Sequence, residues 1–162
     1  MNNTEIFNNS IETGLRSLII LEAANPYSLD LQRLIYFDYL TVHTGDIENG
    51  PKSLHPAVPN RSGELFVRRK NIEEGLNLFI KKRFIEKIFT KHGIEYRLAD
   101  NANILLDLLE EDYTLTMKKN ALWVINEFSE LNSSQLKKYI TQNIDKWGGE
   151  FIYCNLKDMI NE

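Results

Sequence analysis

The sequence predicts a mainly α-helical protein with one small β-hairpin, in which a winged helix-turn-helix-like core precedes C-terminal helices. Two observations carry this prediction. Apolar residues recur at helical spacing within residues 69–82, and strict alternation of apolar and polar residues follows over residues 94–98, which is typical of a half-buried strand. Gly93 precedes the alternating run and supplies the positive φ that a hairpin turn requires.

Length and composition indicate a single compact unit. The 162 residues are 43% hydrophobic and 26% charged, as in an ordinary globular protein. We expect a winged-helix-like domain over residues 1–100 and a C-terminal helical extension over residues 101–162 that packs on it. The formal net charge of −4 argues against general nucleic-acid binding by the whole surface. Residues 61–100, however, carry ten Lys or Arg against six Asp or Glu, which fits either a basic patch or a solvated helix face.

Cysteine content and terminal composition predict a cytoplasmic protein. Cys154 is the only cysteine, so no intrachain disulfide can form, as is usual in a reducing compartment. Residues 1–10 are polar and lack the pattern of a signal peptide. The apolar run over residues 18–21 is far too short to span a bilayer.

Two helices open the chain. Ser10 is a candidate N-cap for a helix over residues 11–24, which Asn25-Pro26 ends because the residue before proline avoids helical angles. Ser28 or Asp30 can cap a second helix over residues 31–42. The short junction between the two helices resembles a helix-turn-helix.

A long irregular section over residues 45–63 separates this pair from the third helix. It contains three of the four prolines, and its apolar second half favours an ordered surface loop. The third helix is expected over residues 69–82, and residues 84–89 should pair antiparallel with residues 94–98.

Two further helices and an apolar tail are expected after the hairpin. One helix should run from residue 101 to about residue 130 with a break near Asp112, and another should begin at Ser133 or Ser134 and end before Gly148-Gly149. Residues 150–162 should pack on the core or on another protein, because they include the apolar side chains Phe151, Ile152, Tyr153, Leu156, Met159 and Ile160. We favour packing on the chain itself.

No catalytic pattern is visible. The sequence has no glycine-rich phosphate loop, and its three histidines do not have the spacing of metal ligands. The lone cysteine has no base nearby in sequence. We therefore expect a non-enzyme that requires neither a cofactor nor a metal.

Surface cations offer a different kind of site. They flank the third helix and the hairpin, and they are candidates for contact with nucleic acid or an acidic partner: Arg68, Arg69, Lys70, Lys82, Arg83 and Lys91. In winged-helix DNA-binding proteins the third helix enters the major groove. Glu73 and Glu74 in the middle of this helix would oppose phosphates, which favours a winged helix that contacts proteins instead.

Several stretches of the first half match a known pattern. They are Gly14-Leu15-Arg16, Leu21-Glu22-Ala23, residues 29–39, His43-Thr44-Gly45-Asp46, Ser53-Leu54-His55-Pro56 and Arg61-Ser62-Gly63-Glu64-Leu65. Together they resemble the middle component of bacterial ABC-three-component systems, which belong with the Lamassu-type defence systems. The resemblance covers about residues 11–128, and its most specific part is the loop pattern His-Pro followed by Arg-Ser-Gly-Glu.

The resemblance implies a small accessory subunit in defence against phage and plasmid DNA. Such a subunit helps to hold an effector, often a nuclease, on an ABC ATPase of the SMC/Rad50 type, and it meets DNA only indirectly and the membrane not at all. We hypothesise that His55, Pro56, Arg61 and Glu64 shape a partner-binding surface rather than part of the core. Arg61 could equally pair with an acidic partner or with Glu64.

The rival hypothesis is a winged-helix transcription regulator that binds DNA as a homodimer. The salt dependence of DNA binding distinguishes a regulator from an adaptor. A regulator should bind a short duplex alone, with affinity falling steeply as salt rises. An adaptor alone should bind DNA weakly or not at all.

Overall fold

A computed structural model describes residues 9–56 and 61–147, with only the backbone given for residues 61 and 62. The elements in chain order are α1 (Ser10–Ala24), β1 (Leu29–Asp30), α2 (Leu31–Val42), a 3-10 turn (Thr44–Asp46), α3 (Arg61–Lys81), β2 (Ile85–Thr90), β3 (Gly93–Leu98), α4 (Ala102–Leu106), α5 (Asp112–Phe128) and α6 (Ser133–Trp147). The predicted class, mainly α with a small β-hairpin, is confirmed.

The hairpin is part of a three-stranded antiparallel sheet with the order β1-β3-β2. The register joins Ile85 to Leu98 and Thr90 to Gly93 across the hairpin, and Gly93 has the predicted positive φ of 117°. Strand β1 pairs with β3 through Leu29 and Tyr96. Strand β1 was not predicted, because a strand of two residues is too short to show a period.

The first two helices agree closely with the prediction. Helix α2 has the predicted bounds, and its N-cap is Asp30, whose Oδ1 accepts a hydrogen bond from the Arg33 backbone N–H at 2.8 Å. The cap of α1 is Asn9 rather than Ser10, because the Asn9 side chain accepts from the Glu12 backbone N–H at 2.8 Å. This corrects the predicted cap by one residue.

Helix α3 begins at Arg61, eight residues before the predicted start. The section predicted as a loop therefore contributes Arg61 and Glu64 to the first turn of a helix. Apolar periodicity could not reveal this part of α3, because Phe66 and Val67 are exposed. Charged side chains, described below, fix its position instead.

The C-terminal helices follow the predicted order. The expected break falls at residues 107–111, between α4 and α5. The cap of α6 is Asn132 rather than a serine, since Asn132 and Gln135 exchange hydrogen bonds from backbone N–H to side-chain oxygen at 2.9 Å each, which is a capping-box arrangement. The tail over residues 150–162 lies outside the described residues.

The core lies where α1, α2, α3 and α5 meet. Its largest fully buried apolar side chains are Leu18, Ile20, Leu21, Leu34, Phe37, Tyr39, Leu40, Ile72 and Leu76. Met117 and Val124 of α5 and Leu136 of α6 belong to the same cluster. The helices after residue 101 thus share a core with the preceding segment, while the division into two domains stays a prediction.

Helices α1 and α3 are in close contact at two glycines, Gly14 and Gly75. A Cβ atom on Gly75 would lie 2.6 Å from the Gly14 backbone N, closer than non-bonded atoms can come. Only glycine at both positions allows this contact. The close approach brings the N-terminal halves of both helices against α2, where the polar network described next is formed.

Candidate functional site

A buried carboxylate, Asp38 on α2, joins the first three helices. Its Oδ1 accepts a hydrogen bond from Arg16 Nε of α1 at 2.8 Å, and its Oδ2 accepts from Arg16 Nη2 at 3.3 Å. Arg68 of α3 donates from Nη1 to the same Oδ2. Both arginine side chains are only 2% exposed. Asp38 is therefore the shared counter-ion of two buried arginines, which meets the requirement that buried charges be paired.

Glu64 extends this network along α3. Its Oε1 accepts from Arg68 Nη2, one helical turn away, and lies 2.8 Å from His43 Nε2 at the end of α2. Burial alone would raise the pKa of Glu64. The hydrogen bond from His43 and the charge of Arg68 outweigh burial and hold that pKa at about 2.

Asp38 shows the same balance of opposing effects. Its complete burial would raise the pKa, but Arg16 and Arg68 lower it to about 2. Both carboxyl groups are therefore ionised throughout the physiological range. They act as fixed negative charges rather than as proton donors or acceptors.

The loop after α2 connects the network to α5. His55 is buried, and its Nε2 lies 2.8 Å from Tyr113 Oη at the start of α5. Burial, followed by the charges of Arg16 and Arg68, lowers the pKa of His55 to about 4. Burial raises the pKa of Tyr113 to about 12. Both rings are thus uncharged at neutral pH, so neither is poised for acid–base catalysis, which favours a pKa near the working pH.

A second set of hydrogen bonds holds the same loop, both from α5 and within the loop itself. Asn120 of α5 donates from Nδ2 to Thr44 Oγ1 at 3.1 Å and to the Lys52 carbonyl at 3.3 Å. Ser53 Oγ accepts from the Gly45 backbone N–H at 2.9 Å. These bonds fix the ordered loop that the sequence predicted, up to Pro56, which is exposed.

These contacts correct the predicted surface roles of three residues. His55 is in the interior, and Glu64 is bonded to His43 and Arg68 rather than aimed at a partner. Arg68 is buried with Asp38 and so does not belong with the exposed cations. One residue further along a helix is a rotation of about 100°, which is why Arg69 faces solvent while Arg68 faces the core.

The remaining predicted site residues lie on the surface or outside the description. Arg69 and Lys70 form exposed ion pairs with Glu73 and Glu74 at 3.8 and 3.9 Å. Three further cations, Lys82, Arg83 and Lys91, are exposed, and their predicted contact with nucleic acid or an acidic partner stays a prediction. The side chain of Arg61 is not among those described, so its pairing is untested.

Three members of this site, Arg16, Asp38 and Tyr113, were not predicted from the sequence. A signal was present for the first two, because Arg16 lies just before the apolar run over residues 18–21 and Asp38 lies between Phe37 and Tyr39. Opposite charges on two buried helix faces are expected to pair. Nothing in the sequence indicates that Tyr113 would meet His55, which is 58 residues away.

Among residues 9–56 and 61–147, no three His, Cys, Asp or Glu side chains are grouped so that they could hold a metal ion. In that part of the chain, no helix is long and apolar enough to cross a lipid bilayer.

A family model described as ABC-three component (ABC-3C) system Middle Component 2 matches residues 6–150. The chain belongs to this family. As a middle component it is one part of a multi-component system, which implies protein partners. The matched range contains the whole network from Arg16 to Tyr113 and the hairpin.

The match confirms the ABC-three-component part of the resemblance. Neither the curated proteins nor the solved structures contain a match to this middle component.

Proposed function

We propose that this middle component is a non-catalytic accessory subunit that joins an SMC/Rad50-like ABC ATPase to an effector in a Lamassu-type system acting against phage or plasmid DNA. Family membership supports the existence of protein partners. The observation that carries the adaptor role is the contrast between an inward-facing polar network and exposed apolar side chains on two separate elements.

The polar network supports a structural role for the residues that carry the family resemblance. Arg16, Asp38, His43 and Glu64 are joined to one another and to Arg68. The carboxylates of Asp38 and Glu64 are paired with Arg16 and Arg68 inside the protein. A substrate would have to break these ion pairs in order to bind the same side chains. Such a network fixes the relative positions of α1, α2 and α3, and thereby of the surfaces that these helices support.

Two pairs of exposed apolar residues offer surfaces for partners. Phe66 is 82% exposed and lies beside exposed Val67 near the start of α3. Ile104 in α4 and Leu108 just after it are 71% and 74% exposed. Single exposed apolar residues are ordinary, but neighbouring large ones typically mark interaction sites. A subunit that links two proteins needs two such surfaces, and we assign one pair to each partner.

Co-expression with the ATPase and effector from the same system tests the proposal. A tag on this chain should recover both proteins. The double variant Phe66→Ala with Val67→Ala should lose one partner, and Ile104→Ala with Leu108→Ala should lose the other, because truncating a central anchor weakens binding by about thirtyfold or more. The variant Tyr27→Ala removes another exposed aromatic ring and serves as the matched control.

Two outcomes would reject the adaptor role. In the first, the unaltered chain recovers neither protein or only one of them. In the second, both double variants retain both partners as well as Tyr27→Ala does. Circular dichroism and thermal unfolding of each purified variant establish that a lost partner reflects a lost contact and not an unfolded chain.

The rival function is a winged-helix regulator that binds DNA as a homodimer. The element order α1-β1-α2-α3-β2-β3 and the sheet order β1-β3-β2 are compatible with a winged helix and favour this candidate. Glu73 and Glu74, exposed in the middle of α3, oppose it because they would face phosphates. A regulator would be a dimer by light scattering and would select one duplex from a random pool at physiological salt, whereas we expect neither behaviour.

A further inference from the structure

The hairpin carries an apolar face that continues beyond the core. Ile85, Lys87 and Phe89 lie opposite Leu98, Tyr96 and Ile94 in the register, and residues that oppose each other across two strands share a face. At the base of the hairpin Ile85 is buried in the core. At the other end Phe89 is 80% exposed and Ile94 is also exposed. We call Lys87, Phe89, Lys91 and Ile94 the hairpin tip.

Two cations accompany the exposed ring. Lys87 Nζ lies 5.9 Å from the centroid of the Phe89 ring, within the range of a cation–π contact. Lys91 is exposed in the turn that joins the strands. Neither ammonium group forms an ion pair with any residue in the described ranges.

The hairpin's carboxylates lie on the other face and are already engaged. Glu86 accepts a hydrogen bond from Arg97 Nε at 2.7 Å. Glu95 accepts from Ser28 Oγ and, at 3.3 Å, from Thr90 Oγ1. No acidic residue of β2 or β3 therefore shares the face that carries Lys87 and Phe89, although Tyr96 on that face has the pKa of its hydroxyl raised by burial and by the nearby charge of Glu73 on α3.

The positive charge extends to the base of the hairpin. Residues 81–98 contain six Lys or Arg against two Glu, although the whole chain has a formal net charge of −4. Lys81, Lys82 and Arg83 are exposed where α3 ends. The hairpin is thus a basic projection from an acidic protein, and its local field attracts polyanions.

We propose that the hairpin tip contacts nucleic acid, with Lys87 and Lys91 on backbone phosphates and the Phe89 ring against the bases. Cations beside an exposed aromatic ring provide the two contacts that sequence-independent binding of a strand uses, namely phosphate neutralisation and stacking. In a duplex the same ring would act as an apolar wedge between base steps. A two-stranded ribbon is also narrow enough to enter a major groove.

With so few cations at the hairpin tip, we expect this contact with nucleic acid to be weak. Sequence-independent binding has a Kd of roughly 10⁻⁴–10⁻⁶ M at physiological salt even for proteins with larger footprints. The isolated chain should therefore bind nucleic acid only at low salt. Within an assembled system, the hairpin would add to contacts made by other subunits, so the inference goes beyond the adaptor role without replacing it.

Fluorescence anisotropy of the full chain with a labelled single strand and the corresponding duplex, starting at about 50 mM salt, tests the proposal. Replacing Lys87 and Lys91 together by Ala should reduce the slope of log K against log salt by roughly 1.4–1.8 and lower the affinity at least about tenfold. Phe89→Ala should lower the affinity by about tenfold while leaving the slope unchanged. The matched control replaces Lys137 and Lys138, two exposed lysines on α6, by Ala.

The comparison of substrates identifies the mode of contact. A larger Phe89→Ala effect on the single strand supports stacking, and a larger effect on the duplex supports a wedge. The proposal is overturned if the unaltered chain binds neither substrate at low salt, or if the hairpin variants bind like the α6 control. It is also overturned if polyglutamate displaces DNA at equal charge and Phe89→Ala has no effect, because that result indicates an acidic protein partner.

Discussion

Replacing Asp38 by Asn removes the charge at the centre of the network while keeping the side-chain shape. Asn can still accept one hydrogen bond, but its NH₂ group would face a guanidinium donor, and Arg16 and Arg68 would lose their shared counter-ion. Breaking a buried ion pair in this way costs about 3–5 kcal/mol. We expect the free energy of unfolding to fall by that amount.

The pKa of Asp38 gives a second estimate of how much its charge contributes to the free energy of unfolding. Lowering it from 3.8 to about 2 means that the folded state favours the ionised carboxylate by roughly 2 kcal/mol relative to the unfolded chain. This stabilisation is present above pH about 4 and is lost as pH falls towards 2. The two estimates agree on a cost of a few kcal/mol, a large share of the 5–15 kcal/mol typical of a domain.

Urea unfolding followed by circular dichroism at neutral pH measures the effect. A loss of about 4 kcal/mol should move the midpoint by about 2 M, given the urea dependence expected of a chain this size. The matched control is Glu86→Gln, which breaks the exposed pair with Arg97 and should cost less than about 1 kcal/mol. If Asp38→Asn is no more destabilising than Glu86→Gln, our reasoning about the network is refuted.

Two further predictions concern the loop and the helix crossing. Because the pKa of His55 is about 4 in the folded chain against about 6.5 when unfolded, stability should fall as pH drops from about 6.5 to 4. His55→Gln should reduce that fall in urea unfolding at several pH values, and an unchanged pH dependence would contradict the assignment. Gly75→Ala should lower the melting temperature, since its Cβ would lie 2.6 Å from the Gly14 backbone N and overpacking costs about 1–3 kcal/mol. Helix propensity alone predicts that Gly75→Ala raises the free energy of unfolding by up to about 1 kcal/mol. A higher melting temperature would therefore show that α1 and α3 are not tightly packed at this glycine.

The sequence by itself determined the features that depend on neighbouring residues. Asp30, one of the two predicted candidates, caps α2, Gly93 closes the hairpin, and alternation over residues 94–98 marks β3. Each depends on backbone preferences or on a period that a few consecutive residues display. The stretches that carried the family resemblance are also local patterns, and the family match confirmed the system to which they belong.

Only the tertiary structure decided which charges are buried. Arg68 stands in a run with Arg69 and Lys70, and all three looked alike as surface cations. The helix turns Arg68 towards Asp38, which is 30 residues away along the chain, and leaves the other two in solvent. His55 likewise meets Tyr113 across 58 residues. A charged side chain is stable in the interior only when an opposite charge lies next to it. Here that opposite charge lies on a different helix, so the pairing depends on how three helices pack. No single stretch of sequence specifies that packing.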